Sequence, residues 1–446
     1  MSEFIDTDVA EAEMAARDRK KRLIAAVQAG MLLTIANFLA SLGHFVYQIY
    51  CKPRLESGEF SLFNTTLILV QLLTVPLAAG SQAFTHFISK HHGNDNHEEL
   101  HNLQDWCQMM LRRYTWWLCV AALIVIHPLT IFFNFPRDSL TLVALACVPL
   151  MLWSILGTVM LAGLSRFELL AGLTFGTMLV RFISGAVLIW FFPFAEAAAC
   201  ATLFACIVLA LPVLMAKTPR PREMLQNPWT PEFSRYLAAA LCVGVATFIF
   251  TQADLLIAQR CSVGVPNIKG WVPSMENISK IRAISLDMYT AAGLLGRAIL
   301  MGATPILVVY FTKRSQGGPG QLNARALLAI YFILIIIGSA MLTLLREPLS
   351  LFFVRSADPE MMERVRIFAL AMIPIGIVQG VGYYLLATSR LLMCYIFGGL
   401  GLLYLFILGS LGTDLWTLQS LMCGGSAGAL CVLYIVSIVR HSWTLK

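Results

Sequence analysis

Charge is what this sequence has least of: Asp, Glu, Lys and Arg together make up 13% of its 446 residues. Soluble domains carry roughly twice that share, so a fold wrapped on all sides by water is excluded. Catalytic signatures are equally sparse. The eleven cysteines show no CxxC or Cys/His ligand spacing and lie mostly in apolar stretches, where they act as small hydrophobes. The glycine cluster in Lys313-Arg-Ser-Gln-Gly-Gly-Pro-Gly320 lacks the strand, the Lys-Ser/Thr ending and the helix of a phosphate loop, so ATP hydrolysis is not indicated. No paired carboxylates point to glycosyl chemistry. His91, His92, His97 and His101 read as solvated side chains, since they have neither cysteine partners nor regular spacing. An enzyme, a cofactor, a metal centre and a nucleic-acid surface are therefore not expected.

What is present is length of hydrophobic run. Hydrophobic residues reach 58% and the mean hydropathy is +0.74. Each bilayer crossing needs about 20 apolar residues. Twelve stretches qualify, near 24–50, 62–86, 112–133, 139–162, 169–192, 195–215, 236–258, 288–311, 325–345, 365–387, 391–411 and 415–439. The first is too long and too polar-flanked for a cleaved signal peptide. The fold expected is all-α and integral to the membrane, in two six-helix bundles. The divisions are a tail at 1–22, a bundle at 23–216, a proline-rich linker at 217–235, a second bundle at 236–440 and a tail at 441–446. Basic residues set the orientation. With both termini cytoplasmic, nineteen of the 32 Lys/Arg fall inside and eleven outside, so the net charge of +7 reflects topology. The cluster Arg17-Asp-Arg-Lys-Lys-Arg22 anchors the first span to an anionic leaflet. Leu100, Leu103, Trp106 and Met110 recur at helical spacing and predict an interfacial helix lying on the membrane.

Four ionisable residues deep within spans stand out: His44, Arg181, Asp254 and Arg297. A charge at that depth costs at least a few kcal/mol, so it faces protein, a partner or a water-filled cavity. The chain also repeats itself. A shift of 210 residues lays Ala36-Asn-Phe38-Leu-Ala-Ser41-Leu-Gly-His44 on Ala246-Thr-Phe248-Ile-Phe-Thr251-Gln-Ala-Asp254, and Cys51 on Cys261. In the next span the shift is 229, which pairs Phe60 with Tyr289 and Pro76 with Pro305. The difference is a nineteen-residue insertion, with 262–280 placed outside. Two halves of like topology are common among transporters. Pro76 and Pro305 each free a backbone carbonyl and kink a helix, read either as packing geometry or as a bend that lets each half rock. His44 and Asp254 either oppose each other across a cleft as a gate or bond within their own halves. A Cys51–Cys261 disulfide would tie the halves together and oppose opening, so free thiols are favoured.

Glu56-Ser-Gly58-Glu-Phe60-Ser-Leu-Phe63-Asn64, Phe250-Thr-Gln-Ala-Asp254 and Met288-Tyr289-Thr-Ala-Ala-Gly293-Leu-Leu-Gly296-Arg297 resemble the polysaccharide-export flippases of the multidrug/oligosaccharidyl-lipid/polysaccharide exporter superfamily. The resemblance covers essentially the whole chain, and the nineteen-residue insertion departs from it. It implies a V-shaped pair of bundles in the bacterial cytoplasmic (inner) membrane, flipping a lipid-linked diphosphate oligosaccharide by alternating access. Its partners would be that glycan lipid, the bilayer, and polysaccharide synthesis or polymerase proteins. On this reading Arg181, Arg297, Gln252 and Gln379 bind substrate, the arginines through charge-assisted hydrogen bonds to a diphosphate. His44 and Asp254 serve gating or ion coupling; Asp254 either holds Arg297 while the cleft is empty or couples a cation. The competing readings are a drug/cation antiporter of the same superfamily, against which the lack of Asp or Glu within the first two spans counts, and a non-transporting subunit or polymerase of an exopolysaccharide complex.

Overall fold

The computed structural model describes residues 32, 35–56, 58–93, 97–163, 166–215, 230–260, 275–315, 321–354, 358–412 and 414–444. Within them the chain is helices joined by turns, with no strand. Residues 35–51 form α1. It is followed by α2 (Glu59–Gly93), α3 (His97–Phe133), α4 (Asp138–Gly163), α5 (Phe167–Phe191) and α6 (Ala195–Leu214). The second series is α7 (Pro231–Arg260), α8 (Met275–Ser315), α9 (Gln321–Leu344), α10 (Arg346–Val354), α11 (Pro359–Ala387), α12 (Leu391–Leu411) and α13 (Leu415–Thr444). Eleven of these are long and apolar enough to cross a membrane, and every one coincides with a predicted span.

Packing within the two series follows one plan. In the first, α4 packs on α2, α3 and α6; in the second, α11 packs on α8, α9 and α13. Counting spans and leaving out the short α10, these are the same pairings. The likeness extends to α1 on α5, where Gly43 lies against Met178, and to α7 on α12, where Gly398 and Gly401 face Cys242 and Ala246. Small residues let the backbones approach, which is how helices associate where lipid removes the hydrophobic drive. The glycines of α12 thus serve its close packing on α7.

Burial separates inner helices from outer ones. The apolar windows of α2, α7, α8 and α11 are each 61% buried, against 11% for α3 and α5, so the former four form the centre. The seam between the halves is α2 on α7, with Val75 and Ala79 opposite Gly244 and the rings of Phe84 and Phe233 at 5.1 Å. Both mid-helix prolines are in place, Pro76 inside α2 and Pro305 inside α8. Beside each, a threonine hydroxyl returns to the helix backbone, Thr74 to the Val70 carbonyl at 2.9 Å and Thr304 to the Leu300 carbonyl at 2.7 Å.

Three expectations need correction. No separate interfacial helix precedes the third span, because α3 runs unbroken for 37 residues. Leu103 and Trp106 are buried in the protein core, and that contact replaces contact with the membrane surface. The segment 262–280 is not loop throughout, because α8 starts at Met275 and its residues 275–280 are helical. Finally, the nine-residue α10 occupies what reads in sequence as a loop. The linker at 217–229, Cys261, residues 262–274 and the glycine turn at 316–320 lie outside the described residues. Cys51, the other half of the envisaged disulfide, is buried.

Candidate functional site

The first centre is built by α7 and α8. Tyr289, Gly293 and Arg297 are spaced four apart, so they form one stripe of α8 and face Asp254 on α7. One guanidinium nitrogen of Arg297 donates to both oxygens of Asp254, at 2.5 and 2.6 Å. Its Nε donates to the Thr251 carbonyl at 2.9 Å, and the Tyr289 hydroxyl donates to Asp254 at 2.8 Å. Asp254 is 1% and Arg297 6% exposed. Gly293 leaves room for this fit, since a Cβ there would stand 2.9 Å from the other terminal nitrogen of Arg297. The pair is enclosed and mutually neutralised. Gln252, two residues before Asp254, is half-buried.

The second centre belongs to the first half. Arg181 on α5 approaches Nδ1 of His44 on α1 at 3.3 Å. A guanidinium only donates, so Nδ1 takes the acceptor role. Its carbon lies 5.5 Å from the ring centre of Tyr47, which is itself fixed by a hydrogen bond from its hydroxyl to the Ala198 carbonyl at 2.9 Å. Nε of Arg181 is buried without a hydrogen-bond partner, and among the described residues no carboxylate pairs with this arginine. The two arginines are not counterparts in the repeat. Arg181 comes from the fifth span of its half, Arg297 from the second.

His44 and Asp254 do share a position in the repeat, yet each is engaged within its own half, His44 by Arg181 and Asp254 by Arg297 and Tyr289. Groups without shared partners act additively to within about 0.5 kcal/mol. The expected result for His44→Ala, Asp254→Ala and the double variant is that the fractional losses of transport multiply. A double variant no worse than either single one would restore the shared gate.

Gln379 is committed to helix packing. Its carbonyl accepts from the Tyr331 hydroxyl at 3.2 Å and its amide donates to Thr304 at 3.2 Å, which straps α11 to α9 and α8 beside Pro305.

Sequence reading passed over the groups at the predicted outer end. There Asp287 of α8 accepts from the Gly58 and Ser61 amides, both at 2.9 Å, and lies 3.4 Å from Nζ of Lys52. It thereby caps the N-terminus of α2 from the other half of the molecule. Gly58 has φ +87°, a left-handed conformation natural to glycine, and this turn aims its amide at the carboxylate. Beside it Glu59 receives Arg137 at 2.7 Å and the Ala195 amide at 2.8 Å. Glu196 stands 2.9 Å from Nε of the same arginine. In the second half Arg364, 3% exposed, is held by Glu360 at 2.7 Å and Gln419 at 3.3 Å. No group of three or more His, Cys, Asp or Glu suited to a metal occurs among the described residues.

The sequence matches no known family profile and no curated protein. Solved structures do match. An outward-facing multidrug resistance MATE family transporter of the MOP superfamily aligns with a TM-score of 0.65 at 12% identity, covering 94% of this chain and 96% of that one. A MOP superfamily transporter from Pyrococcus furiosus, described as having a binding pocket of reverse polarity that suggests a different function, aligns at 0.63 and 14%, covering 94% and 97%. A eukaryotic MATE transporter aligns at 0.63 and 13%, covering 93% and 96%. Over almost its whole length, then, the chain has the fold of the MATE transporters of the MOP superfamily.

Proposed function

We propose that this protein is a membrane transporter working by alternating access, and that its cargo is an anionic amphiphile of the lipid-linked diphosphate oligosaccharide class. The observation that carries the anionic reading is Arg181. Arg297 is cancelled by Asp254, whereas Arg181 has a buried Nε without a partner and no carboxylate beside it among the described residues. The two centres together leave one uncompensated cation. A guanidinium in that state attracts phosphate oxygens and repels an organic cation. Arg181 is the substrate contact in this proposal, while Arg297 and Gln379 shape the halves. Placement in the bacterial cytoplasmic membrane with both termini inside, and glycan-synthesis proteins as partners, belong to the same proposal.

A second reading, a drug/cation antiporter, is favoured by the likeness in fold to MATE multidrug transporters, which speaks for it more directly than for glycan lipid flipping. Transport by Arg181 variants in proteoliposomes separates the two. A fluorescent lipid diphosphate should be flipped by the native protein and about ten- to a hundred-fold more slowly by Arg181→Ala, the worth of a hydrogen bond to a charged group. Arg181→Lys should keep part of the rate. Efflux of a lipophilic cation that Arg181→Ala leaves equal or faster, with no lipid diphosphate flipping by the native protein, would establish the antiporter instead.

A further inference from the structure

Away from both charged centres, a cavity of about 670 Å³ opens between α2, α3 and α4 and the start of α7. Its size falls within the range of small-molecule sites, roughly 300–1,000 Å³. Pro76 and Gly80 line it from α2, Tyr114 and Trp117 from α3 and Leu237 from α7. Nearly all of this lining is hydrocarbon and aromatic ring, and the Ser81 hydroxyl is already used by the Ala78 carbonyl at 2.6 Å. A polar ligand would lose its hydration here without replacement. Tyr114 is 50% and Trp117 63% exposed, so the cavity opens sideways past α3.

A cation precedes the lining residue Tyr114 on α3. Arg113 follows Trp106 by seven residues and precedes Trp117 by four, so the three share one stripe of α3, at the edge of the face that lines the cavity. Arg113 is exposed, and among the described residues no carboxylate is paired with it. From Arg113 to Phe133, the end of α3, is about 30 Å of helix, the thickness of the hydrocarbon core. Arg113 thus lies at the boundary between tails and headgroups on the predicted inner side. Helical side chains lean toward the N-terminus, which for α3 is toward the headgroups.

We propose that this cavity binds an anionic phospholipid of the surrounding leaflet, with one acyl chain beside Pro76 and Gly80 and the phosphate on Arg113. This lipid is distinct from the cargo, and the site stands whichever cargo is carried. Arg112, next in the chain, points to the opposite side of α3 and serves as the control.

The test is lipid retention. Purified full-length protein is exchanged in detergent into an equal mixture of phosphatidylglycerol and phosphatidylcholine with identical chains, then repurified, and its bound lipid is counted by mass spectrometry. The native protein should retain phosphatidylglycerol preferentially. Arg113→Gln should cut that preference about ten-fold, the loss of one charge-assisted hydrogen bond, and Arg112→Gln should leave it unchanged. Gly80→Phe should reduce retention of both lipids, and it can be built, because a Cβ at Gly80 meets nothing within 4 Å. Should Arg113→Gln retain lipid like the native protein, or the Arg112 variant lose as much as the Arg113 variant, the proposal is overturned. Full retention by a folded Gly80→Phe protein would overturn it equally.

Discussion

Replacing Arg297 by alanine will destabilise the protein by about 3–5 kcal/mol, the usual cost of leaving one member of a buried ion pair without its partner. Asp254 is 1% exposed, and in that variant its only remaining polar partner among these groups is the Tyr289 hydroxyl. Thermal unfolding in detergent and the amount of protein reaching the membrane both report the loss. The companion variant, Asp254→Leu with Arg297→Met, should recover most of it, because replacing a buried pair with apolar residues of similar volume is often neutral. A single Arg297→Ala variant as stable as the native protein would refute the structural assignment and return Arg297 to the cargo site. The contrast with Arg181 is built into the prediction. Arg181→Ala leaves no buried carboxylate behind, so its effect should fall on transport and spare stability.

The second large effect is expected at Asp287. Alanine there deprives the Gly58 and Ser61 amides of their acceptor and Lys52 of its counter-charge. Loss of a helix cap alone costs up to about 2 kcal/mol, and here the cap also joins the halves. Spin labels at Glu56 and Ile284, both exposed in the structure, should report a longer and broader distance distribution in Asp287→Ala than in the native protein. Transport should fall with it, since an end that no longer closes cannot alternate. An unchanged distribution would mean that apolar contacts alone hold this end together.

The spans were legible because hydropathy needs no partner to be read. The eleven spanning helices fall where apolar runs of the right length predict them. α10 escaped because nine residues beginning Arg346-Glu347 look like a polar connection. The misreading of 100–110 has a different cause: an apolar stripe looks the same whether it rests on lipid or on protein, and Leu103 and Trp106 rest on protein. In the site, Asp254 and Arg297 stood out as charges in apolar surroundings, and the four-residue spacing through Tyr289 and Gly293 was visible as a motif. Asp287 was not, because it sits where the sequence reads as an exposed loop and its partners are 226 and 229 residues away. Glu59, Arg137 and Glu196 were hidden in the same way. Each looks like an ordinary charge at a span end until the fold brings them together.

The capping of α2 by Asp287 also bears on what a change of shape has to break. Elsewhere along the described seam the halves also meet through apolar contacts of Val75, Ala79, Gly244, Phe84 and Phe233, surfaces that can part without stranding a charge. Both buried ionic centres lie whole within their own halves, so a rigid-body motion of one half against the other would break neither. At this rim, any parting of the halves must transfer two amides and an ammonium from a single carboxylate to incoming water.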